Sequence, residues 1–546
     1  MAQLTGGQAL VQSLKKHGVD TMFVLPGVQL DNTFDALYDE KDAITLYHTR
    51  HEQATSYMAD GYARTTGKPG VCLVVPGPGL LNAMAGLSTA YACSAPVLCI
   101  SGQINSDLIG KGRGMLHEIP DQIVAVRSVT KWAKLIERPE DASKAVQEAF
   151  RQMLSGRPRP VEIEMAPDIM GKLGEVDLLG PAEIDKPDPD LDKIAEAAKA
   201  LGGAKKPLIF VGGGIFDATE ELLALAEMLQ APVVMSSNGK GAVDARHHLG
   251  VNTLVGRELW KDADVVLAVG TRFVQPLTQW APDDEMTIIQ MDTDPEEVGR
   301  NYTPNVGIVA DAKKGLAALV DATSKHNSSR ESREQELNDL KQKMDDILYE
   351  IQPQASWAEA IRAELPEDGI MVAESTQVGY WSGMGFPVYK PRTYLTSGYQ
   401  GTLGYGFATA LGAAVGNPHT RTISINGDGG FMYNVQELST AKMFNIPLTT
   451  IVFNDNAFGN VKRIQQESYN GRTIASDLLN PDFVKLGESF GVQSFRCDTP
   501  EKLREAIQES YKLNGPTLIE CPVGPMPNPG RVTGWGRPAP KSRKEL

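Results

Sequence analysis

Two acidic turns in the last third of this chain carry residue types that hold a divalent cation against a phosphate. The first reads Gly427-Asp428-Gly429-Gly430 and the second Asn454-Asp455-Asn456, with residues 430–453 between Gly429 and Asn454. Each turn follows an apolar run, and residues 435–444 have helical period. That is a strand–helix–strand unit, which brings the ends of two parallel strands side by side. Asp428 and Asp455 then meet at the carboxyl end of a sheet, where open α/β folds bind ligands. Mg²⁺ suits such a place, because one or two carboxylates leave the rest of its octahedron to phosphate oxygens and water. Gly429 and Gly430 let backbone N–H groups come close to a phosphate, and the N-terminus of the following helix favours an anion. The plain alternative is a pair of acidic turns in an ordinary doubly wound domain, which a lone Gly-Asp-Gly would favour.

A second candidate is Glu52, in Arg50-His51-Glu52-Gln53. Tyr57, Met58 and Tyr62 follow at helical spacing, which places Glu52 near a helix N-terminus, where the macrodipole stabilises a carboxylate. On position alone, a helix cap is the better reading.

The two turns at this spacing resemble the metal–diphosphate motif of thiamine diphosphate (ThDP) enzymes. The family's ligand in the second turn is usually Asn, and here it is Asp455. The resemblance implies a third metal ligand, the main-chain carbonyl of Ala457, and diphosphate contacts at Gly427, Asp428, Gly429 and Gly430. Arg50-His51-Glu52-Gln53, followed by Ala59-Asp60-Gly61-Tyr62-Ala63-Arg64, looks like the segment that carries the family's activating glutamate. It implies that Glu52 hydrogen-bonds the aminopyrimidine ring and sets the proton shift that activates the cofactor. Pro76-Gly77-Pro78-Gly79 with Asn82 resembles the turn beside the pyrimidine, and Pro26 is a further implied contact. Glu374-Ser375-Thr376-Gln377-Val378 resembles a diphosphate-holding loop, with Ser375, Thr376, Gln377 and Val378 as contacts. The segment 398–404 resembles the stretch that bends the cofactor, with a carbonyl from Gly401 and an apolar wedge from Leu403.

Within that family the chain resembles acetohydroxyacid (acetolactate) synthase catalytic subunits over almost its whole length, most closely in Gly156-Arg157-Pro158, residues 398–412 and Pro481-Asp482-Phe483-Val484-Lys485-Leu486. Lys131 falls where those enzymes keep a lysine near the substrate. Three departures surround the implied reaction centre. Leu116-His117-Glu118 stands for Phe-Gln-Glu, Val28 and Gln29 replace small residues, and Ile464 stands where a tryptophan sets acceptor preference. His117 and Gln29 are therefore the candidates for steering the second half-reaction, and a structural loop histidine is the rival reading of His117. The resemblance implies decarboxylation of a 2-oxo acid, pyruvate first, and joining to a second carbonyl. The alternatives are a simple decarboxylase or hydroxy-ketone lyase of the benzoylformate decarboxylase or benzaldehyde lyase type, and a degenerate ThDP-binding regulatory protein. FAD is a possible extra cofactor. Val211-Gly212-Gly213-Gly214 is a weak dinucleotide signal, and Thr271-Arg272-Phe273-Val274-Gln275 lacks the acidic pair and arginine of flavin-binding synthases. Family geometry puts Glu52 and Asp428 on different subunits, which implies a homodimer or homotetramer; a regulatory subunit is left open.

The elements that must position these residues read as α/β throughout, in three doubly wound parallel-sheet domains: a pyrimidine-binding domain (1–170), a middle Rossmann-like domain (190–323) and a diphosphate-binding domain (355–525), with a C-terminal arm (526–546). Residues 171–190, rich in Pro, Asp and Gly, read as a linker, and 324–350 as a charged, solvated helical connector. A weak internal repeat links the first and third domains. Residues 73–79 and 423–429 both run from strand into a Gly turn, then to Leu-Ser-Thr-Ala and a second strand. The 546 residues are 42 % hydrophobic and 22 % charged, which is globular rather than disordered. A net charge of −15 argues against nucleic-acid or anionic-membrane partners. The five cysteines have no metal-type spacing and, with no N-terminal export signal or long apolar run, point to the cytoplasm.

Overall fold

Runs such as Val265–Val269 and Pro207–Val211 are apolar without alternation, as strands covered on both faces must be. In the computed structural model, which describes residues 2–530 and 539–546, such runs build three six-stranded sheets, every pairing in them parallel. The chain opens with β1 (Ala2–Thr5). The first sheet holds β2 (Thr21–Val24), β3 (Thr45–His48), β4 (Gly70–Val74), β5 (Val97–Gly102), β6 (Trp132–Ile136) and β7 (Val161–Met165). After β8 (Leu173–Val176) comes the second, of β9 (Pro207–Val211), β10 (Val233–Met235), β11 (Gly250–Val251), β12 (Val265–Val269), β13 (Thr287–Asp292) and β14 (Val306–Val309). The third holds β15 (Ile370–Ala373), β16 (Tyr394–Thr396), β17 (Thr422–Gly427), β18 (Leu448–Asn454), β19 (Gln493–Arg496) and β20 (Thr517–Pro522). Parallel neighbours need crossover connections, and helices supply them on both faces of each sheet.

The first sheet is ordered β3-β2-β4-β5-β7-β6 and the third β16-β15-β17-β18-β20-β19. Numbered from its own first strand, each reads 2-1-3-4-6-5, whereas the middle sheet reads 3-2-1-4-5-6. The shared order is the three-dimensional counterpart of the weak repeat between residues 73–79 and 423–429.

The first and third domains are joined by two helices, Glu52–Thr66 and Tyr405–Gly416. Their axes come close because glycine lies at the crossing. A Cβ on Gly61 would collide with the Thr409 carbonyl, and one on Gly412 with the Met58 carbonyl. Tyr57, Met58, Tyr405 and Phe407 share one core there.

Two expectations need correction. The stretch read as a linker contains β8, which pairs antiparallel with β1, so its first part is fixed to the first domain. The connector forms a helix, Glu334–Tyr349, but it is not simply solvated: Leu337, Met344 and Leu348 are buried against the middle and third domains. Of the arm expected over 526–546, residues 531–538 lie outside the described residues. Its end returns to the middle domain, where buried Arg543 pairs with Asp283 at 2.7 Å.

Candidate functional site

Five strand ends of the third sheet open into one cavity of about 750 Å³. From β15 come Glu374, Ser375 and Thr376, and then the helix Gln377–Gly385. Thr376 Oγ1 caps that helix by accepting from Gly379 N–H at 2.8 Å. The N–H groups of a capped N-terminus attract phosphate. Gln377 Oε1, on the same wall, is buried without a hydrogen-bond partner in the protein, as expected of a group meant for a ligand.

From β17 and β18 come the two acidic turns, and the structure brings them together. Burial pushes Asp455 up to about 6, and the next cause is the charge of Asp428. Asp428 is also raised by burial, against donors from Gly429 and Asn480. Two carboxyls that repel one another across a buried gap are relieved by a divalent cation between them. Ala457 lies beside them in an antiparallel bridge to Asp477. The bridge is held by Phe458 N–H to Ser476 O and Leu478 N–H to Asn456 O, each 2.8 Å. Among the described residues no cluster of three or more His, Cys, Asp or Glu could hold a metal. Two neighbouring carboxylates suit a hard cation that shares its shell with phosphate.

The glycines of the first turn have a reason the sequence did not show. A Cβ on Gly429 would stand 2.6 Å from the Phe458 ring, and one on Gly430 would collide with the Glu374 carboxylate. The turn is short because protein packs against it, and its helix, Asp428–Phe431, is a single turn. The longer helix behind Thr376 supplies the larger cradle.

From β16 the chain arches through residues 398–404. Gly401 has φ +57° and open space around it, so backbone conformation rather than crowding selects glycine there. Leu403 is half-buried on the cavity wall. The arch is pinned by Gly404 N–H to Glu374 Oε1 at 2.6 Å and by Asn434 Nδ2 to Gly404 O at 2.7 Å. Sequence reasoning gave Glu374 no role beyond its place in the 374–378 loop. It is buried at the floor of the cavity and burial pushes its carboxyl up to about 7. It also missed Asn480, whose Nδ2 donates to Asp428 Oδ2 at 2.6 Å and Asn454 Oδ1 at 3.0 Å. The only sequence signal for Asn480 was its place just before Pro481-Asp482.

The first domain gathers the other half. Glu52 is the first residue of its helix, and its Oε2 accepts from Asn82 Nδ2 at 3.0 Å. Gly79 packs beside it, where a Cβ would lie 2.5 Å from Val75 Cγ2 and 3.5 Å from Glu52 Oε1. Gln29, 7 % exposed, holds the His117 loop by its Nε2 to Leu116 O and its Oε1 to His117 Nδ1, both 3.2 Å. His117 has a left-handed backbone, φ +69°, and abuts Gly77. Pro26, in the turn after β2, is exposed on the same edge. Lys131 is not part of this group. It precedes β6, at the amino edge of a sheet whose carboxyl edge carries Glu52. Its ammonium is taken by Ser155 O at 2.6 Å and Arg157 O at 3.1 Å, and burial lowers its pKa. Nor do Pro26, Gln29, Glu52, Asn82 and His117 line the Asp428 cavity of their own chain.

Parallel sheets with phosphate-type turns, paired acids and a separate helix-borne glutamate define a cofactor-dependent α/β enzyme, and comparison with known proteins gives its class. Residues 4–125, 194–319 and 374–521 match the N-terminal TPP-binding, central and C-terminal TPP-binding domains of thiamine pyrophosphate enzymes. The chain belongs to that family. It is 35 % identical to a probable acetolactate synthase large subunit of Methanocaldococcus jannaschii, over 99 % of this chain and 97 % of that one. It is 32 % identical to the acetolactate synthase isozyme 3 large subunit of Escherichia coli, over 94 % and 93 %. A probable 2-ketoarginine decarboxylase, AruI of Pseudomonas aeruginosa, is 34 % identical over 95 % and 94 %. This chain is an acetolactate synthase-like, thiamine diphosphate-dependent enzyme.

Proposed function

We propose that the chain uses Mg²⁺ and thiamine diphosphate to decarboxylate a 2-oxo acid, pyruvate first, and joins the remaining fragment to a second carbonyl. The observation that carries the reading is the meeting of Asp428 and Asp455 beside the capped Thr376 helix, with Gln377 Oε1 unpaired on the same wall. Asp428, Asp455 and the Ala457 carbonyl hold the metal. Ser375, Thr376, Gln377, Val378, Gly427, Gly429 and Gly430 receive the diphosphate. Leu403 and Gly401 shape the wall between the two ends of the cofactor. The bound cofactor supplies an electron sink for the pair released as carbon dioxide leaves. Glu52, steadied by Asn82, holds the proton at the pyrimidine end, and Pro26 flanks it. Gln29 and His117 face the second carbonyl and steer its entry.

Glu52 lies outside its own chain's Asp428 cavity, which supports a site built from two chains, in a homodimer or homotetramer. Exposed apolar residues flank both halves: Val28 and Leu116 beside Gln29 and His117, Tyr399 and Ile464 beside the arch. The words "large subunit" in the relatives' names support a smaller companion chain. Activity of the purified chain that no companion raises would count against it. The five unpaired thiols support a reducing, cytoplasmic setting, and no helix among the described residues is long and apolar enough to cross a membrane.

A second cavity, of about 1020 Å³, sits at the carboxyl ends of β9, β12 and β13 and is lined by Gly213, Arg272, Asp292 and Arg300. It supports a nucleotide, FAD in the synthase-like reading. The glycine run there is explained without one, because a Cβ on Gly212 would collide with the Gly270 carbonyl. Flavin absorbance in the purified protein tests the point.

The similarity to a 2-ketoarginine decarboxylase favours a second reading, decarboxylation to a free aldehyde. Incubation with pyruvate, 2-oxobutyrate, benzoylformate and 2-ketoarginine, with product identification, decides. Hydroxy ketone or acetohydroxy acid supports carboligation, aldehyde alone supports the decarboxylase, and consumption of none refutes both.

A further inference from the structure

Glu437 is a carboxylate with no access to solvent, in the Val435–Glu437 turn just beyond the helix that begins at Asp428. Both of its oxygens accept from one group, the Arg50 backbone N–H, at 3.1 Å each. Thr440 Oγ1 donates to it at 2.5 Å and Gln436 Nε2 at 3.4 Å. None of these donors is a cation, so the burial is costly, and it pushes the carboxyl above the usual range. What the costly group secures is the turn of the first domain that launches Glu52. Arg50 follows β3, His51 caps the helix, and Glu52 is that helix's first residue. Beside the bond, Phe444 packs on Tyr47 and His48, with ring centroids 4.9 and 5.2 Å away. The third domain thus grips the end of β3 by one polar and one apolar contact.

We propose that Glu437 is a positioning residue for Glu52: it fixes the Arg50-His51 backbone and so ties each chain's metal-binding element to the glutamate the same chain presents. The inference rests on the reading of Glu52 given above. Small displacements of a proton-transfer group are expensive in rate, whereas a mere staple between domains needs no aim at the Arg50 and His51 amides that directly precede Glu52.

Two measurements on the full-length protein test it. The first is amide hydrogen exchange in the cofactor-free protein. Glu437→Leu is expected to speed exchange over residues 50–53 by about tenfold, as for loss of one buried hydrogen bond. The second is exchange of the cofactor's C2 proton with solvent in protein loaded with Mg²⁺ and ThDP. Here Glu437→Leu is expected to slow the reaction by about tenfold while Mg²⁺ and ThDP affinities move less than about twofold. Glu437→Gln, which keeps a carbonyl acceptor for Arg50 N–H, is expected to restore both readouts to within about threefold. Unchanged readouts in Glu437→Leu overturn the proposal. So does a fall that only tracks lost cofactor binding, or a Gln variant no better than Leu. If Glu437→Leu does not fold, Thr440→Val removes the donor that orients the carboxylate; a slowing of about threefold or more in C2 exchange is expected, and a wild-type rate overturns the proposal. A wild-type protein that does not accelerate C2 exchange at all refutes the functional reading itself, whatever the variants do.

Discussion

Asp428 has two neighbours that decide how it can serve a metal. Gly429 N–H fixes one carboxylate oxygen at 2.9 Å, and Asn480 fixes the other at 2.6 Å. Groups that orient a ligand are worth roughly 10–100-fold in metal affinity. Asn480→Leu, which keeps the volume and removes the donor, should therefore weaken Mg²⁺ binding by about tenfold. Calorimetric titration in the presence of ThDP checks this, and kcat at saturating metal should recover most of the loss. Glu52 makes the opposite kind of prediction. Glu52→Gln keeps the shape and the bond from Asn82 but cannot carry the proton. Turnover should fall by at least about a hundredfold while much of the ThDP binding remains. Near-normal turnover in that variant would remove Glu52 from the chemistry.

Helices set where these side chains stand. The Glu52 helix can lie against Tyr405–Gly416 only because Gly61 and Gly412 present no side chain at the crossing. Gly412→Ala drives a methyl into the Met58 carbonyl, and overpacking of this kind costs about 1–3 kcal/mol. Denaturant unfolding should show that loss. The same shift should lower kcat through Glu52, although Gly412 touches no part of the cavity. A change in neither quantity would mean that the helices have room to separate.

The middle and third domains meet at a buried lysine. Lys240, 6 % exposed, donates to Phe386 O at 2.8 Å and Met384 O at 3.3 Å, and burial lowers its pKa from 10.5 to about 7. Between those two values the unfolded chain holds a proton that the folded chain has released. Stability therefore rises with pH across that window and loses this gain as pH falls toward 7. Lys240→Met should flatten the rise, read as thermal midpoint against pH. Assembly gives a second prediction for the whole molecule. If Glu52 and Asp428 of one site come from different chains, mixed Glu52→Gln and Asp428→Ala subunits rebuild one intact site in each hybrid dimer. Random mixing should then restore about a quarter of wild-type activity. Failure to restore any, with hybrids demonstrated by mass, would place both residues in one chain.

The residues of the candidate site were legible in the sequence because they sit in strand-end turns, where local spacing is itself the geometry. Gly427 to Gly430 and Asp455 stand where a parallel sheet must end, and so does the 374–378 loop, which only the family resemblance had pointed to. β9 and β12 could be read as unbroken apolar runs. β3 and β6 could not, since both are short, partly exposed edge strands with charged or polar residues among the apolar ones. Lys131 shows the limit from the other side. A motif places a residue along the chain, but only the closed sheet decides which edge it occupies, and here that edge is the one opposite Glu52. Glu437 and Asn480 were invisible for the same reason, and so was the bond from the Gly404 N–H to Glu374. Each acts on a residue in a different segment, so its role exists only once packing has brought the two together. Local pattern fixed the turns, and burial of one domain against another decided what those turns can reach.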